Sequence, residues 1–346
     1  MVIEQLLCHP RLPLIAGVEP EGPAVHVWDG ELRELATLGE GARSPVWHPE
    51  EPRLLVATDA GVRSWSPGGG IEPVLEHPYR AIGLGPGGRT LLARPSAAKG
   101  EGHDLADVID LGDGTRGDGP DWDTGVVVHP AGGLFATLRS DQGATLVVFG
   151  RTDGARVRLL RRALIIEVDG YTAPLFSPDG RYFAVRGNAY AHTLYVYEFP
   201  SLRRVLQTVL GRWDEGWSRH NVAFAPDLFV GTPSGLDSRC TGPVTALAAT
   251  ATGEIVVAGA GGELVLLPAT QAPPAAGPET VRAFLASTED VPEDAELEEE
   301  FELTDGERTW GPGDLETVLE AGEQDPAWLQ IQARMNALRS GADAAD

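Results

Sequence analysis

One recurring phrase narrows what this chain can fold into more than any other feature. In FSPDGRYFAV, residues 176–185, an apolar residue precedes Pro178-Asp179-Gly180 and an alternating apolar run follows. Proline suits the first corner of a tight turn, and glycine accepts the positive φ that returns the chain into a strand. The phrase returns as CHPRLPLIAG (8–17), WHPEEPRLLVAT (47–58), GLGPGGRTLLAR (83–94), VHPAGGLFATL (128–138), FAPDLFVGT (224–232) and, degenerate, ATATGEIVVAG (249–259). The pitch is about 40 residues, with one short interval of about 25 near the end.

A second apolar strand follows most copies, as in AVHVWDG (24–30), ATLVVFGRTDG (144–154) and HTLYVYEFPS (192–201). Weaker outer strands come next, among them ELRELATL (31–38), RVRLLRRALIIEV (156–168) and RRVLQTVL (203–210). Four short antiparallel strands in each period of about 40 residues describe one blade of a β-propeller. Runs such as RLLVAT and TLYVY lack polar alternation, as strands buried on both faces do. The sequence resembles the WD40/YVTN-type propeller superfamily over residues 2–270, with Trp28-Asp29 standing where a WD dipeptide closes the third strand. Tyr197-Glu198 and Phe149-Gly150 replace that dipeptide elsewhere, and the family's Gly-His pair is absent.

The fold class expected is therefore all-β: a propeller of seven four-stranded blades over 1–270, the sixth short or irregular because FAPDLFVGT lacks the glycine after Asp227. A six-bladed ring is the alternative. The first strand, IEQLL (3–7), is expected to complete the last blade and close the ring. Residues 271–313 read as a Pro/Ala-rich and then acidic linker, with a short helix over 279–287 carrying Val281, Phe284 and Leu285 on one side. Within it, EDVPEDAELEEEFEL (289–303) is either a solvated run or an acidic motif anchored by Leu297, Phe301 and Leu303. Residues 314–346 read as a helical tail. Its helix starts at Asp325-Pro326, a cap and a first-turn proline, and sets Trp328, Ile331, Met335 and Leu338 on one face, to dock either on the propeller itself or on a partner or second copy of the chain.

Charge bounds the partners. The formal net charge is −24, and residues 279–346 carry 19 acids against four arginines. An acidic surface repels phosphate backbones, so nucleic-acid binding is not expected. Of the 27 Lys and Arg residues only Lys99 is a lysine, the skew of a GC-rich, actinobacterial-type coding sequence. Cys8 and Cys240 form neither a disulfide framework nor a zinc spacing. MVIEQLLCHPRLPLIAG lacks the basic and apolar regions of a signal peptide, and no run is long enough to cross a bilayer. Together these imply a cytoplasmic location, no membrane partner, and no cofactor or metal.

Read in register with the family, the residues before each turn copy reach one rim of the channel. They are Arg43, Tyr79, Arg80, Trp122, Asp123, Tyr171, Trp213, Trp217, Arg219 and His220. Trp, Tyr and Arg are enriched in binding hot spots, so the resemblance implies a non-catalytic scaffold or recruitment module whose rim takes a protein or peptide. The alternatives are a propeller hydrolase of the lactonase type, needing Arg219, His220 and Asp123 to converge, or a small-ligand sensor. His9, His48 and His129, each before a turn proline, read as turn residues rather than metal ligands.

Overall fold

Each turn copy closes a hairpin, and the hairpins assemble into sheets whose strands neighbour one another in chain order. The structure is a computed structural model. It describes residues 1–20, 24–39, 41–96, 106–120, 122, 125–141, 144–168, 173–188, 191–212, 220–231, 235–236, 240–269, 271–292 and 300–343. Blade one is typical, with strands Gln5–Cys8, Leu14–Val18, Val25–Asp29 and Glu34–Leu38. Its inner strands are largely buried and its outer strand largely exposed. Trp28-Asp29 ends the third strand, where Asp29 Oδ1 accepts the backbone N–H groups of Glu31 and Arg33 at 2.9 and 3.0 Å. The Arg33 guanidinium beside it holds the Asp29 carboxyl below the usual carboxylate range.

Among the described residues six sheets have three or more strands, so six blades replace the seven expected. Five of them cover 5–38, 43–75, 79–119, 126–166 and 173–212; the last, over 244–267, has three strands. Between blade five and the last blade lie two short ribbons, Val222–Ala225 with Asp227–Val230 and Gly235–Leu236 with Cys240–Thr241. Ala225 pairs with Asp227 directly across Pro226, a tighter reversal than the glycine turns elsewhere. Val222 and Phe224 pack on Ala184, Leu194 and Val196 of blade five, while Ala223 and Phe229 pack on Val244 and Leu247 of the last blade. Apolar side chains thus fill this sector although a full sheet does not.

Ring closure also differs from expectation. Gln5–Cys8 pairs with Leu14–Val18 inside blade one and adds no strand to the last blade. The ring closes by face packing instead: Ile3, Leu6, Ile15 and Trp28 share a cluster with Ala246, Ala248, Val256 and Ala258. Residues 5–38 thus supply all four strands of blade one.

The His-Pro turns do more than reverse the chain. His9 is fully buried; its Nδ1 accepts the N–H groups of Arg11 and Leu12, both at 3.0 Å. An Nδ1 that accepts leaves the proton on Nε2, which donates to Glu51 O of blade two at 2.8 Å. His129 repeats this, taking Ala131 N–H on Nδ1 at 3.2 Å and donating Nε2–H to Gly180 O of blade five at 3.0 Å. His48 caps its own turn through Glu51 N–H at 3.0 Å. Gly180 has φ 67°, and a Cβ there would lie 2.4 Å from the His129 ring, so both backbone and space require glycine.

The carboxy-terminal region is not a free linker. Blade three ends in Arg116–Gly119, an RGDG strand with no apolar side chain, whereas blade four extends through Ala144–Asp153 and Arg156–Ile166. Val148, Leu159, Ala163 and Ile165 of blade four are covered by Val291, Phe301, Leu303, Trp328 and Leu329. Helix α1 (Pro278–Ala286) places Phe284, fully buried, 4.9 Å from both Phe149 and Phe199. Strand Glu302–Thr304 joins the outer edge of blade four, followed by Thr309–Trp310, α2 (Asp314–Thr317) and α3 (Ala327–Asp343). Of the acidic run, Phe301 and Leu303 are buried anchors, and Leu297 lies outside the described residues.

Candidate interaction surfaces

Five of the ten expected rim residues, Arg43, Tyr79, Arg80, Trp122 and His220, are among the described residues. Tyr79 and Trp122 are fully buried. The Tyr79 phenol donates to Asp107 Oδ2 at 2.9 Å, and burial together with that carboxylate pushes its pKa up. Trp122 lies with the Arg94 guanidinium 5.8 Å from its ring centre. Both are therefore core residues rather than contact residues. Tyr79 begins the strand Tyr79–Leu84, and Trp122 lies ahead of the strand Val126–Val128.

Arg43 is partly open but engaged, donating Nη1 to Gly41 O and to Asp59 Oδ1, and Nη2 to Tyr79 O at 2.9 Å. Arg80 is exposed, and His220 is half-buried with its carbonyl accepting Leu247 N–H at 2.8 Å. Asp123, Tyr171, Trp213, Trp217 and Arg219 lie outside the described residues, and with them the convergence that a hydrolase requires. Among the described residues no group of three or more His, Cys, Asp or Glu could hold a metal ion, and no helix is long and apolar enough to cross a membrane.

The tail helix divides the expected docking residues between two faces. Of the four residues expected to dock, Trp328 is the one buried within the chain, its ring 5.3 Å from Trp310 at 80°. Leu329, Ala333 and Asn336 complete the inward face. Asn336 Nδ2 donates to Leu315 O at 2.7 Å and Val318 O at 2.8 Å, which ties α3 to the α2 segment. Ile331, Met335 and Leu338 point to solvent at 49%, 44% and 75% exposure. Positions 328, 329, 333 and 336 and positions 331, 335 and 338 are both acceptable helix faces by spacing. The wide indole and the satisfied Asn336 amide decide which one turns inward.

The expected Asp325 cap is also replaced. Its carboxylate accepts Gly322 N–H at 2.7 Å and pairs with Arg308 at 2.6 Å, while Glu167 of blade four accepts Ala327 N–H at 2.9 Å. A cleft of about 620 Å³ opens between α1 and blade five, lined by Arg162, Arg181, Tyr182, Glu198 and Glu279. Its charged groups are of both signs.

No family model matches the chain, and no curated protein matches it. Solved structures do share its arrangement. A Kuenenia stuttgartiensis hydrazine synthase structure aligns with a TM-score of 0.59 at 13% identity, over 78% of this chain and 96% of that one. The β-propeller domain of Myceliophteria thermophila Cps50 (Swd1) aligns with a TM-score of 0.51 at 14% identity, over 77% of this chain and 95% of that one. At such identities the likeness is one of fold. It is a β-propeller. One of these neighbours is a domain named for its propeller and the other belongs to an enzyme, so the fold alone selects no activity.

Proposed function

We propose that this propeller is a non-catalytic interaction scaffold that recruits another protein, and that the outward face of α3 is a contact surface. The observation that carries this reading is the row Ile331, Met335 and Leu338, left in water on a helix whose opposite face is anchored by Trp328, Leu329 and Asn336. An apolar row held rigid before a partner arrives reduces the ordering cost of association, and each side chain fully buried by a partner contributes about 1.5–3 kcal/mol. Arg80, which is exposed, remains a further contact residue under this reading.

The test is the triple substitution Ile331→Asp, Met335→Asp, Leu338→Asp in the full chain. The three side chains are exposed, so the thermal midpoint should stay within a few degrees of the parent. A protein captured stoichiometrically from native lysate by the parent should be lost by the triple variant. Equal capture by both would remove α3 from the contact, and lactone hydrolysis without any stoichiometric partner would overturn the scaffold itself.

A further inference from the structure

We infer that the outer edge of blade four is a recognition site for extended acidic segments, and that the chain's own carboxy-terminal region fills it as an internal ligand. The edge strand Arg156–Ile166 contains Arg156, Arg158, Arg161 and Arg162 and no acid, and Arg151 stands on the strand beside it. A strand edge offers a row of N–H and C=O groups to any extended chain.

Two separate acidic segments use that row, and they run in opposite directions. Residues 288–291 lie antiparallel: Leu160 bridges Asp290, Arg161 N–H donates to Glu289 O at 2.9 Å, and Val291 N–H donates to Leu159 O at 2.8 Å. Strand Glu302–Thr304 then runs parallel, with Arg162, Ala163 and Leu164 opposite Glu302, Leu303 and Thr304. The backbone ladder therefore accepts either polarity.

What the two segments share is chemistry. Each brings carboxylates to the arginines: Asp290 sits 2.6 Å from Arg151 and 3.9 Å from Arg158, and Glu300 sits 2.5 Å from Arg161. Each also buries apolar side chains beside the edge, Val291 in the first and Phe301 and Leu303 in the second. The ladder supplies attachment, the arginine row selects acidic residues, and the apolar contacts set spacing. Partly exposed ion pairs are individually weak, so the tail holds the edge chiefly because tethering gives it a high local concentration. An acidic strand from another chain then competes for the edge whenever the internal one is loosened.

The probe is a fluorescein-labelled peptide EEEFELTDG, the sequence of residues 298–306, with KKKFKLTDG as its control, each titrated by anisotropy at low salt. The receptors are the intact full chain and the full chain carrying Phe301→Asp with Leu303→Asp; Leu303→Ala serves as a milder variant should the double one not unfold cooperatively. The acidic peptide should bind the loosened chain about tenfold or more tightly than the intact chain. Binding should weaken with added salt, and Arg161→Glu in the loosened chain, which removes the partner of Glu300, should abolish it. Equal binding of the acidic and lysine peptides by a cooperatively folded loosened variant overturns the site. Binding to the intact chain as tight as to the loosened one overturns the claim that the tail occupies it.

Discussion

The His129 latch between blades four and five offers the most direct measure of how the turns hold the ring. In His129→Leu the side-chain volume is nearly kept and both polar contacts go. Gly180 C=O loses a donor at 3.0 Å in a buried position, and Ala131 N–H loses its acceptor at 3.2 Å in a half-buried one. A buried group left unsatisfied costs about 1–3 kcal/mol, and the Ala131 N–H, nearer to water, costs less. The ring also contacts Phe176 at 5.0 Å and Phe199 at 5.2 Å, edge and tilted arrangements worth about 0.5–1.5 kcal/mol beyond burial. Leucine retains the apolar part of those contacts, so the net loss should be about 2–4 kcal/mol. Urea unfolding followed by tryptophan fluorescence should show a lower midpoint at unchanged slope. A loss below about 1 kcal/mol would mean that the blades are held by their apolar faces alone and that the latch carries nothing.

Two further outcomes follow from the same structure. Leu194, 1% exposed on the third strand of blade five, packs against Val222 and Phe224 across the blade interface; Leu194→Ala should cost about 2–5 kcal/mol in the same assay. Burial holds the imidazoles of His9, His48 and His129 below the ordinary value of 6.5. Their folded pKa is the lower one, so the unfolded chain takes up protons first. Stability is full above about pH 6.5 and falls as the pH drops through the folded values. Unfolding midpoints measured from pH 8 to 5 should decline below pH 6.5, and the decline should shrink in His129→Leu.

Much of the propeller is legible because its signals are local. The Pro-Asp-Gly and His-Pro phrases specify turns through φ and hydrogen bonding within a few residues, and the structure carries Gly180 at φ 67° as the turn requires. The missing glycine after Asp227 marks the sector that becomes ribbons instead of a blade. Phe284 and Val281 are readable as the buried side of α1 from helical spacing. The charge split is equally plain in the sequence, with a strand at 156–166 whose charged residues are all arginines and an acidic region beyond residue 279.

What the sequence by itself determined, then, is strands, turns, their period and the sign of each surface, because these depend on neighbours along the chain. Tertiary structure decided which segment meets which. Tyr79 and Trp122 look like rim anchors until the neighbouring blade buries them. Both faces of α3 are apolar enough to dock, and the choice fell to Trp328 and Asn336 because blade four and the α2 segment offer an indole site and two open carbonyls. Residues 302–304, at the end of the acidic run, join blade four beside the long strand Arg156–Ile166, while the RGDG outer strand of blade three carries no apolar side chain. Such a pairing joins residues more than a hundred positions apart, and no local pattern encodes it.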